Sequence, residues 1–172
     1  MMNAVEQKLA PLVGQYVWGV GWDCQLSLRM NFGDPHLRVI EPSRSRPDNR
    51  IVVPEGQWWL WVYFAYWKIS FNGARVARGG TAKSRSSFKR IMRATTGLQG
   101  QIVTGVEVKP KSGSLVLDFD LGGRLTVRPL SRKKQKEVWL LYEHQDEHPL
   151  SVRSDGKFSY DSRNDDAEWT PI

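Results

Sequence analysis

A phrase near the N-terminus of this chain returns past its middle, and that recurrence restricts the fold more than any other feature. Leu12-Val13-Gly14-Gln15-Tyr16-Val17-Trp18-Gly19-Val20 comes back as Leu98-Gln99-Gly100-Gln101-Ile102-Val103-Thr104-Gly105-Val106, with Gly14 and Gly100 standing 86 positions apart. Leu, Gly, Gln, Val, Gly and Val keep their places in both copies. Leu26, Leu28 and Met30 before Gly33 answer to Leu115, Leu117 and Phe119 before Gly122. Leu37 and Val39 answer to Leu125 and Val127, Trp59-Leu60 to Trp139-Leu140, and Asn72-Gly73 to Asp155-Gly156. A repeat of this length implies one supersecondary unit used twice around a pseudo-two-fold axis.

The local pattern within each copy is a short helix followed by a β-meander. Val5 and Leu9 share one side of a helix that Pro11 ends. In the second copy, Ser84, Ser86 and Ser87 are candidate caps, and Phe88, Ile91, Met92 and Thr95 recur at helical spacing. Gly97 is the expected stop, with Lys89, Arg90 and Arg93 on the outer face. Residues 25–32 and 114–121 alternate apolar and polar as half-buried strands do. Gly33-Asp34-Pro35 and Gly122-Gly123 are the expected turns after them. The fold class is therefore α+β, mainly antiparallel β. One domain spans residues 1–158, with repeats over about 4–80 and 84–158, and residues 159–172 form a polar tail that Trp169 partly orders.

Composition narrows the function. The chain has 172 residues, 40% of them hydrophobic, enough for one substantial core. No run approaches the roughly 18 apolar residues of a membrane span, and the first ten residues lack the basic start and apolar stretch of a secretory signal. The single Cys24 precludes an internal disulfide and fits a reducing, cytoplasmic setting. Net charge is +7, unevenly spread: no Asp or Glu occurs from Gly56 to Val106, whereas the C-terminal part is acidic. Such asymmetry steers an anionic partner.

The densest segment is Trp58-Trp59-Leu60-Trp61-Val62-Tyr63-Phe64-Ala65-Tyr66-Trp67. In one extended strand, Trp59, Trp61, Tyr63 and Trp67 face one way, and Trp58, Leu60, Val62, Phe64 and Tyr66 the other. Each aromatic buries about 150–250 Å², so both faces need cover. Either this is a central strand between layers, or one face seats a partner, or it is a base-stacking platform. Trp59, Trp61, Tyr63 and Trp67 are the candidate interface anchors.

Two loops at matching places are cationic: Arg44, Arg46 and Arg50 in the first, and Arg132, Lys133, Lys134 and Lys136 in the second. Such arrays attract phosphate backbones through counterion release. They carry none of the known nucleic-acid-binding motifs, and solvated loops are the plainer reading.

Catalytic chemistry finds little support in the residues. His144 and His148 on a strand would stand about 13 Å apart, too far to share one ion. Cys24 and His36 lack a nucleophile motif around them, and the C-terminal acids lack the order of a calcium loop. The expectation is no enzyme, no metal and no cofactor.

The segment from Leu12 to Val17, with Gly56-Gln57-Trp58-Trp59-Leu60-Trp61 and Trp67-Lys68-Ile69, resembles small bacterial proteins, some of them similar to immunity proteins of polymorphic toxin systems. That resemblance implies a toxin-neutralising role but transfers no functional residue, and the positive charge suits an acidic partner. The expected function is a non-enzymatic protein-binding module, with another protein or a second copy as partner. The alternative is a nucleic-acid-binding protein using the paired basic loops.

Overall fold

The computed structural model describes residues 2–23, 27–44, 47, 49–79, 85–131, 135–144, 146, 148–162 and 166–172. The expected strand start at Gln25 and Leu26, Cys24, and the cap candidate Ser84 lie outside them. The elements are α1 (Ala4–Leu9) with a 3-10 turn (Ala10–Leu12), β1 (Val17–Trp22), β2 (Leu28–Ile40), β3 (Ile51–Val62), β4 (Ala65–Phe71), β5 (Ala74–Arg78) and α2 (Arg85–Leu98). Then follow β6 (Val103–Lys109), β7 (Ser114–Phe119), β8 (Gly123–Pro129), β9 (Glu137–Glu143), β10 (Leu150–Arg153), β11 (Lys157–Ser159) and β12 (Thr170–Pro171). The protein is mainly antiparallel β with two helices.

Local chemistry explains the helices. Asn3 caps α1 by accepting the Glu6 N–H at 2.8 Å, while the Glu6 carboxylate takes the Asn3 N–H at 3.1 Å, a reciprocal capping box. Pro11 then ends α1 in the 3-10 turn. Helix α2 buries Ile91, Ala94, Thr95 and Leu98. Phe88 and Met92, expected on that buried face, are about half exposed, so the apolar stripe is rotated toward Ala94. Gly97 does not stop the helix. It lies inside α2, where a Cβ would come within 2.9 Å of the Phe71 ring.

The strands form two sheets. Sheet 1 has the order β1-β2-β3-β9-β10-β11-β12, and sheet 2 the order β5-β4-β8-β7-β6. The chain enters sheet 1, crosses to sheet 2 after β3, and returns to sheet 1 at β9. One core joins both sheets: Leu28, Met30, Phe32, Leu60 and Val62 from sheet 1, and Leu115, Leu117, Phe119, Leu125 and Val127 from sheet 2. Its two largest members are Trp67 and Trp139. Trp67 on β4 lies opposite Val127, and Trp139 on β9 opposite Val62. The closeness of packing around Trp67 is visible at Gly79, where a Cβ would fall 2.1 Å from the indole nitrogen.

The two recurring phrases meet. Gly14 donates to the Val103 carbonyl and Gly100 to that of Val17, both at 2.8 Å. Val17 donates to Gln101 at 2.9 Å, and Val103 to Gln15 at 3.0 Å. Gly14 and Gly100 have φ of +89° and +79°, left-handed conformations that favour glycine.

Three further expectations are corrected. Gly33-Asp34-Pro35 is not a turn: β2 continues for 13 residues, with a register shift between Phe32 and Pro35. A bulge accommodates a proline that has no N–H to give to the ladder. Leu37 and Val39 consequently ride on an exposed extension of the β2–β3 hairpin, whereas Leu125 and Val127 are fully buried. The proposed boundary at 158 falls inside β11. Beyond it the chain docks back, with β12 pairing to β11, Trp169 stacked under the Arg153 guanidinium at 4.5 Å, and Ile172 packed against the core.

Trp139 is fully buried, and its indole N–H donates to the Gly113 carbonyl at 2.8 Å. Trp139→Ala is expected to cost about 3–5 kcal/mol in urea unfolding. A loss below about 1 kcal/mol, the range of a surface substitution, would contradict this packing.

Candidate functional site

Strand β3 alternates as a strand with one core face must. Leu60 and Val62 point into the core, while Trp59 and Trp61, followed by Tyr63, stand half-buried on the outer face. Their rings form a row. Trp59 and Trp61 lie 6.0 Å apart at 20°, and Tyr63 continues the row 4.8 Å from Trp61. Tyr142, opposite Trp59 on β9, closes to 4.9 Å. Arg29 covers the Trp61 ring at 5.5 Å, and the Tyr63 hydroxyl donates to the Glu137 carboxylate. These contacts hold the rings in place. Both helices pack elsewhere, α1 against β6 and α2 against β5, β1 and β4.

Trp67 does not join the row. The alternation breaks at Tyr63 and Phe64, between β3 and β4, where Phe64 adopts φ of +49°. The chain changes sheets at this corner and restarts with the opposite parity. Ala65, Trp67 and Ile69 turn inward, and Trp67 is only 1% exposed. Phe64 and Tyr66, expected to share the face of Leu60 and Val62, are exposed.

Beside the aromatic row runs a groove of about 500 Å³, walled by Trp59, Trp61 and Tyr142, by His36 to Val39 and Glu55 of the β2–β3 hairpin, and by Glu143 to His144. Its charges are matched in pairs. Arg38 meets Glu55 at 2.7 Å. Lys8 of α1 holds Glu143 at 2.6 Å and Asp146 at 2.9 Å. Burial pulls the Lys8 pKa down, but hydrogen bonds to Glu143 and Asp146 outweigh it and leave the pKa raised. At the groove wall the His36 and His144 rings stack at 3.5 Å, and the buried Nδ1 of His36 has no hydrogen-bond partner. Burial, and then the neighbouring His144, push the His36 pKa below its usual value, with Arg38 adding to this and Glu55 opposing it.

Three of the seven basic-loop candidates lie among the described residues. Arg44 is exposed, and Arg50 is engaged by Glu41 through Nε and Nη2, each at 3.0 Å. The Lys136 ammonium lies 6.0 Å from the Phe64 ring, at the corner between sheets. Arg46, Arg132, Lys133 and Lys134 lie outside the described residues. His144 and His148 separate: the first faces His36, and the second lies 3.7 Å from Asp161. Among the described residues no group of three or more His, Cys, Asp or Glu is arranged to hold a metal ion. From sequence, His36 is weighed only beside Cys24, and Tyr142 is not singled out. Only the outward parity of Tyr142 beside Leu141 hinted at its place, and nothing in the sequence places His36 against His144.

Compared with known protein families, curated proteins and solved structures, the chain matches none.

The lowered His36 pKa sets the sign of a pH effect. As pH falls below the reference value of 6.5, the unfolded chain takes up this proton before the folded one. The His36 contribution is thus complete above that value and is lost as pH falls through the folded pKa. Thermal melts between about pH 7.5 and 5 should show the melting temperature of His36→Gln falling less than that of the parent chain. Parallel slopes would contradict the assignment.

Proposed function

We propose that this chain is a non-enzymatic protein-binding module that docks its partner in the aromatic groove of sheet 1. The observation that carries this reading is the pre-stacked row of Trp59, Trp61, Tyr63 and Tyr142 on an outer sheet face. Tryptophan and tyrosine are the residues that most often anchor interfaces, and rings already held in place lose little entropy on binding. The adjoining hairpin extension adds exposed apolar surface at Leu37, Val39 and Val52, with Val39 and Val52 directly paired across the strands. The charged groups Arg38 with Glu55, and Lys8 with Glu143 and Asp146, are engaged with one another, which suits recognition better than proton transfer. A toxin-neutralising role belongs to this class.

The scaffold beneath is read as a duplicated unit with a pseudo-two-fold. Three observations support it. Replacing β1, β2, β3, β9 and β10 by β6, β7, β8, β4 and β5 converts the order of the first five strands of sheet 1 into that of sheet 2, with β11 and β12 additional. The hydrogen bonds between the phrases at Gly14 and Gly100 are reciprocal. Trp139 beside Val62 answers to Trp67 beside Val127. In this register Leu60 and Val62, rather than Leu37 and Val39, take the places of Leu125 and Val127. The two outer faces then occupy equivalent places with different chemistry.

Affinity purification from the native cell, comparing the parent chain with Trp59→Ala/Trp61→Ala as bait, tests the docking role, and sedimentation equilibrium of both covers self-association. Loss of two anchors is expected to weaken binding at least about 30-fold, so a protein or second copy bound by the parent chain should be lost from the variant. If no protein distinguishes the baits and both chains sediment as monomers, the reading fails.

A further inference from the structure

The outer face of sheet 2 carries a second groove, of about 330 Å³, lined by Tyr66, Lys68, Arg78, Gly79, Thr126 and Arg128. Strand alternation places these side chains together. Trp67, Ile69, Leu125 and Val127 point into the core, so Tyr66, Lys68, Thr126 and Arg128 point away from it. Register sets the pattern on that face. Tyr66 lies directly opposite Arg128, and Lys68 is flanked by Thr126 on β8 and by Arg78 on β5. Lys68 and Arg128 are diagonal neighbours, about 7–8 Å apart by sheet geometry.

Two observations point to an anion. The first is Lys68 standing directly across the ladder from Arg78, a like-charge pair that destabilises a sheet unless something neutralises it. Among the described residues no salt bridge engages Lys68, Arg78 or Arg128, whereas Arg124 is matched by Asp118 at 2.5 Å, Arg38 by Glu55 and Arg153 by Asp155. The second is the distribution of acids across the same face. Glu107 and Asp118 occupy the β6–β7 side, and none occurs on β5, β4 or β8. Three cations therefore border one concavity with a hydroxyl from Thr126, and a 56% exposed tyrosine stands beside them.

We propose that this groove is a binding site for a nucleotide unit, with the phosphate held by Lys68, Arg78 and Arg128 and the base stacked on Tyr66. Arginine offers a planar fork of donors to phosphate oxygens, and lysine a mobile point charge. An aromatic beside a cationic groove is the arrangement by which single-stranded nucleic acids are held without regard to sequence, and a groove of this size also accepts a free nucleotide. The site is distinct from the aromatic groove of sheet 1 and uses none of the paired basic loops.

Fluorescence anisotropy with a labelled oligothymidylate, about ten nucleotides long and at low salt, tests the site, with free AMP and ATP as competitors. Binding is expected to weaken with salt along a log–log slope between about −0.7 and −2, as for one to three phosphates neutralised on a single strand. Lys68→Ser/Arg128→Ser should weaken it at least tenfold, and Tyr66→Ala at least fivefold. Lys109→Ser/Lys111→Ser, which removes the same charge from the β6–β7 end, should change it less than twofold. Arg78→Ser alone carries the same test should the first double variant fold poorly. Displacement by mononucleotides would mark a free-nucleotide site, and resistance to them a strand site; both place a nucleotide unit in the groove. Binding should be unaltered in Trp59→Ala/Trp61→Ala, so this site and the protein-docking groove fail or stand separately. Absence of binding at low salt, or equal weakening by the two double variants, would overturn the proposal.

Discussion

Four backbone hydrogen bonds, between residues 14–17 and 100–103, are the seam on which the rest of the molecule depends. Each phrase follows a helix and leads into a strand, so the seam sets where both sheets begin. It needs a left-handed residue on each side, and glycine supplies it at positions 14 and 100. Each bond contributes only about 1 kcal/mol net. The seam is thus better understood as a constraint on registration than as a large source of stability. The stability resides in the core that the seam brings together, with Trp67 and Trp139 at its centre.

The crossing of the chain between sheets converts that core into two independent surfaces. After β3 the chain leaves sheet 1 at Tyr63 and Phe64, and the parity of the alternation reverses. One continuous aromatic segment is thereby divided between jobs: Trp59 and Trp61 decorate the outside of sheet 1, Trp67 fills the core, and Tyr66 emerges on the outside of sheet 2. The outer face of sheet 1 is aromatic beside ion pairs such as Arg38 with Glu55, and that of sheet 2 holds Lys68, Arg78 and Arg128, which no salt bridge engages among the described residues, beside the Arg124–Asp118 pair. Two sheets around one core can vary their outer faces separately, because outward side chains do not pack in that core.

Much of this was legible in the residues, and the failures have physical causes. The helix-then-strand order, the mainly antiparallel sheets and the shared face of Trp59, Trp61 and Tyr63 follow from period and punctuation. Trp67 was misplaced because parity holds only within one strand, and no glycine or proline marks the corner at Phe64. Gly33-Asp34-Pro35 resembles a turn in composition, yet a bulge uses the same residues when the flanking strand continues to find partners, as β2 does along β3. The groove on sheet 2 was invisible because its cations are far apart in sequence: Lys68, Arg78 and Arg128 become neighbours only through β4 pairing with both β5 and β8.

The seam itself is the most direct thing to measure. Native-state hydrogen exchange followed residue by residue reports the protection of the Gly14, Val17, Gly100 and Val103 amides. If the two halves are locked as one cooperative body, all four exchange at closely similar rates, near the limit set by global unfolding. Exchange of Gly14 and Val17 many-fold faster than that of Gly100 and Val103 would contradict the account, since a reciprocal seam cannot open on one side alone.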